Sequence, residues 1–332
     1  MRPLEKTTLG SSGLEVTRLG LGCAAIGGLY GDIPDEQATQ VVHKALDLGL
    51  NLFDTAPLYG SGKSEQRLGQ ALQGVARDSY VLASKVGRLL VPSEGDERGQ
   101  SIFGDPPPFK PMFDFSYDGV MRSLEESLER LGVERIDILH IHDPDNHWQE
   151  AIDGAYPALD ALRSQGVIRA VSAGMNQWEM LARFAREGDF DCFLLAGRYS
   201  LLDQSALDEL LPLCVEKNIG IMAGGTYNSG ILAKGAKPGA TYNYGEAPTD
   251  IMQKAQAIEA VAERHGVDVK AAASQFVFAH PAITCIIPGT RQPARVEENF
   301  NLLTQDIPAD FWDELQTEHL LHDSAPVPKA GA

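Results

Sequence analysis

Apolar positions along the chain switch between two spacings. Compact apolar runs at 50–54, 80–85, 136–141, 168–173, 192–195, 220–223 and 284–287 read as buried strands. Between them apolar residues recur every three or four positions. Ala38, Val41, Val42, Ala45 and Leu48, for example, share one face of a helix over 35–48. The same spacing predicts helices over 64–72, 116–131, 150–165, 178–186, 205–217, 250–265, 269–280, 293–303 and 309–320, the first of these with Ser64 as its N-cap. Ahead of them, the alternation across 7–22 predicts a hairpin turning at 11–13 and a first strand ending near Gly22. Eight strand–helix alternations predict an α/β fold, a (β/α)8 or TIM barrel with an N-terminal hairpin and extra helices. No low-complexity linker interrupts it, so 1–332 reads as one domain with a flexible tail from about 324.

Two stretches break the rhythm. Residues 86–115, with the run Pro106-Pro107-Pro108, and 224–249 are longer than ordinary barrel connections. Such segments are either functional or disordered, and 86–115 reads as a lid or a disordered loop. Composition narrows the class. At 332 residues and 43% hydrophobic the chain can bury one large core. A net charge of −18 argues against nucleic acid or an anionic membrane as a partner, since both favour a basic face. No run approaches the ~18 apolar residues of a membrane span, and the N-terminus shows no apolar leader segment. Cys23, Cys192, Cys214 and Cys285 stand far apart in apolar surroundings, which suits reduced, buried thiols in the cytoplasm.

Candidate chemistry sits where strands end. Asp54, Lys85 and His142 close the second, third and fourth predicted strands, and Tyr59 lies on the loop just beyond Asp54. Singly, each has a plain structural explanation: a turn former, a snorkelling amine, a satisfied core histidine, a packing ring. Together they gain meaning, because neighbouring strands of a parallel barrel converge at their C-terminal ends. A lysine there is expected to lower the phenol pKa of Tyr59, with Asp54 neutralising and orienting it and His142 hydrogen-bonding the reacting oxygen. Such a proton relay suits carbonyl–alcohol interconversion without a metal. His140, His142 and Asp143 also resemble a metal-ligand run, but no convincing further ligand accompanies them.

These residues carry a family resemblance. Phe-Asp-Thr-Ala-Pro-Leu-Tyr-Gly (53–60), Ala-Ser-Lys (83–85), the segment 128–142, Gly-Val-Ile-Arg-Ala (166–170) and Ile-Pro-Gly-Thr-Arg with Val-Glu-Glu-Asn (287–299) resemble, in order, the aldo-keto reductases. The resemblance implies that Asp54, Tyr59, Lys85 and His142 form the catalytic tetrad. It further implies a nicotinamide dinucleotide, NAD or NADP, lying across the C-terminal face of the barrel. Asn176 would hold the carboxamide, and Tyr199 would stack on the nicotinamide. Gly225, Tyr227, Ser229 and Gly230 would cradle the pyrophosphate. Gly289, Thr290, Arg291, Arg295, Glu298 and Asn299 would face the adenosine. Many relatives that use NADPH carry a lysine at the position of Gly289, so NAD is slightly favoured here.

Within the family the chain is most similar to sugar 1-dehydrogenases, through segments such as His-Asp-Pro-Asp (142–145) and Ala-Gly-Arg-Tyr-Ser-Leu-Leu-Asp-Gln (196–204). That implies oxidation of the anomeric hydroxyl of an L-fucose, D-arabinose or galactose type of sugar to its lactone. Asp143, His147, Trp148 and Arg198 are the candidate substrate ligands. Pyridoxal 4-dehydrogenation and NADPH-dependent reduction of an aldehyde or ketone are the alternatives. A cofactor-sensing regulatory subunit is a remoter one.

Overall fold

A computed structural model describes residues 1–93 and 102–329. Eight strands form one parallel sheet: β1 (Leu21–Gly22), β2 (Leu52–Asp54), β3 (Val81–Val86), β4 (Ile138–His142), β5 (Ala170–Met175), β6 (Cys192–Ala196), β7 (Gly220–Gly224) and β8 (Ile283–Ile286). Each pairs with its sequence neighbours. Parallel bridges from Leu19 to Ile286 and from Gly22 to Gly289 join the first strand to the last, closing a (β/α)8 barrel. The surrounding helices are α1 (Asp35–Asp47), α2 (Lys63–Ala71), α3 (Tyr117–Leu131), α4 (Tyr156–Ser164), α5 (Trp178–Glu187), α6 (Leu210–Lys217), α7 (Val269–Phe276) and α8 (Pro293–Leu302). Two further helices, Thr249–His265 and Ala309–Thr317, pack against each other. Among the described residues no helix is long and apolar enough to cross a membrane.

The two-residue period of a strand decides which side chains enter the barrel. Leu52, Val81, Ala83, Ile138, Ala170, Cys192 and Met222 form one buried cluster. The residues between them, such as Phe53, Leu82, Leu139 and Phe193, belong to the separate cluster packed under the helices. The N-terminal hairpin (Lys6–Thr8 with Glu15–Thr17) adds Leu9, Leu14 and Val16 to the interior cluster and stoppers the barrel. It is pinned there by Thr17 N donating to Asn51 Oδ1 (2.7 Å) and Ser11 Oγ donating to Asp191 Oδ1 (2.9 Å). Continued toward the C-terminal end, the inward rows reach Asp54, Lys85, His140 and His142. The apolar floor thus gives way to polar groups at one end of the barrel.

Some local expectations need correction. Ser64 is not the cap of α2. The helix starts at Lys63 behind Gly62, whose φ of 89° suits glycine, and Ser64 Oγ donates inward to Cys23 O (2.8 Å). The helix expected over 150–165 starts at Trp148 and passes through a π turn, Ala151–Ala155, before α4. Pro157 lacks the N–H that would continue a regular helix across that join. The helix expected over 205–217 is divided into a 3₁₀ turn, Ser205–Leu207, and α6, which places Pro212 in its first turn, where no N–H is required. Of the segment 86–115, residues 94–101 lie outside the described residues; Arg88–Pro92 and Phe109–Phe113 pair as an antiparallel hairpin. In the tail Ala325 is buried, and its carbonyl accepts a hydrogen bond from Gln316 Nε2 (3.4 Å); 330–332 lie outside the described residues. All four cysteines are buried and unpaired.

Candidate active site

Asp54 is the last residue of β2, and Lys85 lies one residue short of the end of β3, on the adjacent strand. Lys85 Nζ donates to both carboxylate oxygens of Asp54 (2.7 and 2.8 Å) and to Thr55 O (2.9 Å). Both residues are buried. Burial alone would raise the Asp54 pKa, but the Lys85 ammonium and nearby His140 outweigh it and hold the carboxyl below its ordinary range. His140 lies below His142 on the same row of β4. Its Nε2 is 3.3 Å from Asp54 Oδ1, and its Nδ1 is 2.7 Å from Ser172 Oγ. It is therefore an interior support of the ion pair.

Tyr59 stands over this pair, with Lys85 Nζ 4.9 Å from its ring centre, and meets His142 edge to face at 6.0 Å. The expected lowering of the Tyr59 pKa by Lys85 is reversed. Burial, and after it the negative charge of Asp54, push the phenol well above its ordinary value. The reason is geometric: all three N–H donors of Lys85 are spent on Asp54 and Thr55, so its charge is already compensated. Burial, with Arg88 and Lys85 nearby, also drives His142 well below the usual histidine pKa and keeps it neutral. Two uncharged proton carriers, a phenol and an imidazole, thus face each other above a saturated ion pair.

Tyr59 and Asp54 border one end of a groove of about 450 Å³. Asn176, Gly225, Tyr227, Ser229, Gly230, Gly289 and Thr290 line it, as do Arg291, Arg295, Glu298 and Asn299. Tyr199 is an exception. It is buried in the core against Phe276 (5.4 Å between ring centres) and His280, so it cannot stack on a bound ring. Lys234 and Lys270, which the sequence reading did not single out, add positive charge to the groove wall. Glu298 pairs with Lys270 and lies 3.5 Å from Arg295. Thr226 Oγ1 and Asn228 Oδ1 are buried on this wall without a partner among the described residues. Gly225, with φ of 64°, lets two loops approach: a Cβ there would lie 3.1 Å from Gly197 N. Four cations, a close-packed glycine loop and the unpartnered Thr226 hydroxyl, which can donate, fit an elongated ligand bearing phosphates. A nicotinamide dinucleotide is such a ligand.

The four candidate substrate ligands separate. Asp143 adjoins His142, with its Oδ2 3.5 Å from His142 Nε2. Arg198 is engaged by Asn243 (2.8 Å) and Asp203 (3.7 Å). His147 packs against both Phe113 and Phe115, at 4.7 and 5.5 Å between ring centres. Trp148 is half-buried: the Arg183 guanidinium lies 3.8 Å from its ring centre, and Phe184 lies 4.6 Å away. A residue missed from sequence is Arg88, which reaches Asp143 from the hairpin (2.9 Å). Its only sequence signal is its place three residues past Lys85.

The model of the Aldo/keto reductase family matches residues 18–318. A D-threo-aldose 1-dehydrogenase from Pseudomonas sp. is 38% identical over 317 residues, covering 94% of this chain and 96% of its own. A pyridoxal 4-dehydrogenase from Microbacterium luteolum is 36% identical, with coverage of 97% and 99%. Among solved structures, the holo form of an aldo-keto reductase from Bacillus halodurans superposes with a TM-score of 0.77 at 24% identity, covering 98% of each chain.

Proposed function

The chain belongs to the aldo/keto reductase family, and from that premise we propose that it is an NAD(P)-dependent aldose 1-dehydrogenase, with NAD the favoured cofactor. The observation that carries the reading is the Tyr59–His142 pair standing above the Asp54–Lys85 ion pair, two groups that can share one carbonyl or alcohol oxygen. In oxidation, Tyr59 as phenolate takes the proton from the C1 hydroxyl while C1 loses hydride and becomes the lactone carbonyl. His142 donates a hydrogen bond to the same oxygen and fixes its distance from Tyr59. Asp54 and Lys85 lie beneath them as a hydrogen-bonded ion pair that positions both. When bound, the nicotinamide supplies the hydride acceptor. Run in reverse, Tyr59 in its protonated form delivers the proton to a carbonyl. The pairing of Glu298 with Lys270 supports NAD, because it leaves less positive charge for a 2′-phosphate.

A second reading has an observation of its own. The pyridoxal 4-dehydrogenase relative is nearly as similar as the aldose enzyme, and Tyr30 and Tyr244 border the groove with half-exposed rings suited to a flat heteroaromatic alcohol. Absorbance at 340 nm separates the two. Purified protein is given NAD or NADP with L-fucose, D-arabinose, L-galactose, D-galactose or pyridoxal. Reduction of NAD with a sugar is the expected result. Reduction with pyridoxal alone moves the substrate to the second reading. Silence with all of them, and consumption of NADPH with simple aldehydes, makes the protein a reductase.

A further inference from the structure

Asp143 follows the tetrad histidine with a left-handed backbone, φ 40°, uncommon for a residue that bears a side chain. Its Oδ2 lies 3.5 Å from His142 Nε2 and accepts a hydrogen bond from Arg88 Nη2 at 2.9 Å. Arg88 Nε also donates to His142 O (3.4 Å), and its guanidinium lies 5.0 Å from the ring centre of Phe113 on the other strand of the hairpin. One guanidinium, held by the hairpin, thus grips both the carboxylate and the backbone of the histidine.

A neutral imidazole carries one proton, and its position depends on what each nitrogen faces. On one side of His142 is an anionic oxygen. On the other, Nδ1 is buried with no hydrogen-bond partner among the described residues. The field therefore favours the proton on Nε2. At 3.5 Å the carboxylate does not take that proton into a tight hydrogen bond, which leaves it free for a substrate oxygen.

We propose that Arg88 and Asp143 are positioning residues that hold His142 as its Nε2–H tautomer, so that the imidazole donates to the reacting oxygen. The inference rests on the oxidoreductase reading above and gives Asp143 a role through His142 instead of on the sugar. Arg88 from the hairpin, His142 beside it, Lys85 on β3, Asp145 on its own loop, and Tyr59 and Tyr244 are the titratable groups that face Asp143. Burial pushes its carboxyl up to about 6, with Arg88 opposing that rise and Asp145 adding to it. The clamp is charged above that pH and lost below it.

The test has two readouts on the full chain. The first is the pH profile of kcat and KM for the wild type, Asp143→Asn, Arg88→Met and Arg88→Lys. Asparagine tolerates the left-handed turn, so the local backbone is kept. In the reductive direction, which uses the protonated Tyr59, the wild type should show an acid limb near pH 6 in kcat. Arg88→Met should move the limb upward, and Arg88→Lys should bring it part of the way back. Asp143→Asn should abolish it and lower kcat by no more than the ~10²–10⁴-fold that a positioned proton donor supplies. The second readout is the ¹⁵N shift of the His142 ring, assigned by its loss in His142→Gln. Nε2–H should dominate in the wild type at pH 8, and both tautomers should be present in Asp143→Asn. An acid limb unmoved in both Asp143→Asn and Arg88→Met, or a dominant Nδ1–H form in the wild type, overturns the proposal. The nitrogen shifts are read whether or not any sugar is turned over. An inactive wild type therefore counts against the proposed function, while the tautomer still decides on Asp143.

Discussion

Lys85 Nζ lies 2.7 and 2.8 Å from the two carboxylate oxygens of Asp54, and its third donor is taken by Thr55 O. The ammonium therefore has no N–H left for Tyr59, although that ring lies 4.9 Å away. The phenol stays protonated at neutral pH, and the pH behaviour of the protein follows from that.

Oxidation needs Tyr59 as a base, and its pKa lies above the ordinary value of about 10. Turnover in the oxidative direction should rise with pH beyond neutrality and still be rising near pH ~10. Reduction uses the protonated phenol and should not rise over that range. Tyr59→Phe should remove the rise and lower kcat by ~10²–10⁴-fold while cofactor affinity stays similar. Steady-state kinetics in both directions measure this; unchanged turnover in Tyr59→Phe would sink the mechanism.

The Asp54–Lys85 pair should be far costlier to break than to replace. Lys85→Met leaves an unpaired buried carboxylate and Asp54→Leu an unpaired ammonium, and each should destabilise by about 3–5 kcal/mol in urea melts. The double variant should lose less than the sum of the two. Because the folded-state pKa of Asp54 is depressed, its contribution is present above the unfolded value of about 3.9 and disappears as pH falls through the folded one. Acid unfolding of the double variant should lack that component.

Glu298 pairs with Lys270 and sits near Arg295 on the groove wall. Glu298→Gln should free both cations and raise affinity for NADP relative to NAD by a few-fold, on the order of 1 kcal/mol. Fluorescence titration with each reduced cofactor reads the ratio. An unchanged ratio would mean that this part of the wall does not meet the 2′-phosphate.

Trp148 packs between Arg183 and Phe184. Trp148→Ala should cost about 2 kcal/mol of stability, less than a fully buried tryptophan would, and should leave the substrate KM unchanged. A large rise in KM without loss of stability would return Trp148 to the substrate site.

What the sequence determined by itself is what depends on local period. Asp54, Lys85 and His142 stand two or four residues beyond the inward-facing Leu52, Val81 and Ile138, so alternation along each strand already directs them into the barrel, and the parallel order of neighbouring strands brings them together. The groove residues Gly225, Gly230 and Arg291 were legible only through the resemblance of their segments to the aldo-keto reductases. The tertiary structure decided what depends on distance between segments and on burial. Arg88 meets Asp143 across 55 positions of sequence, and Lys270 meets Glu298 across 28. Tyr199 follows a strand end as a cofactor ligand would, yet the packing of Phe276 and His280 encloses it. The same holds for Tyr59. Its identity and position are local, but its protonation is set by how completely a lysine 26 positions further along is consumed by an aspartate, and by how much water the closed barrel excludes.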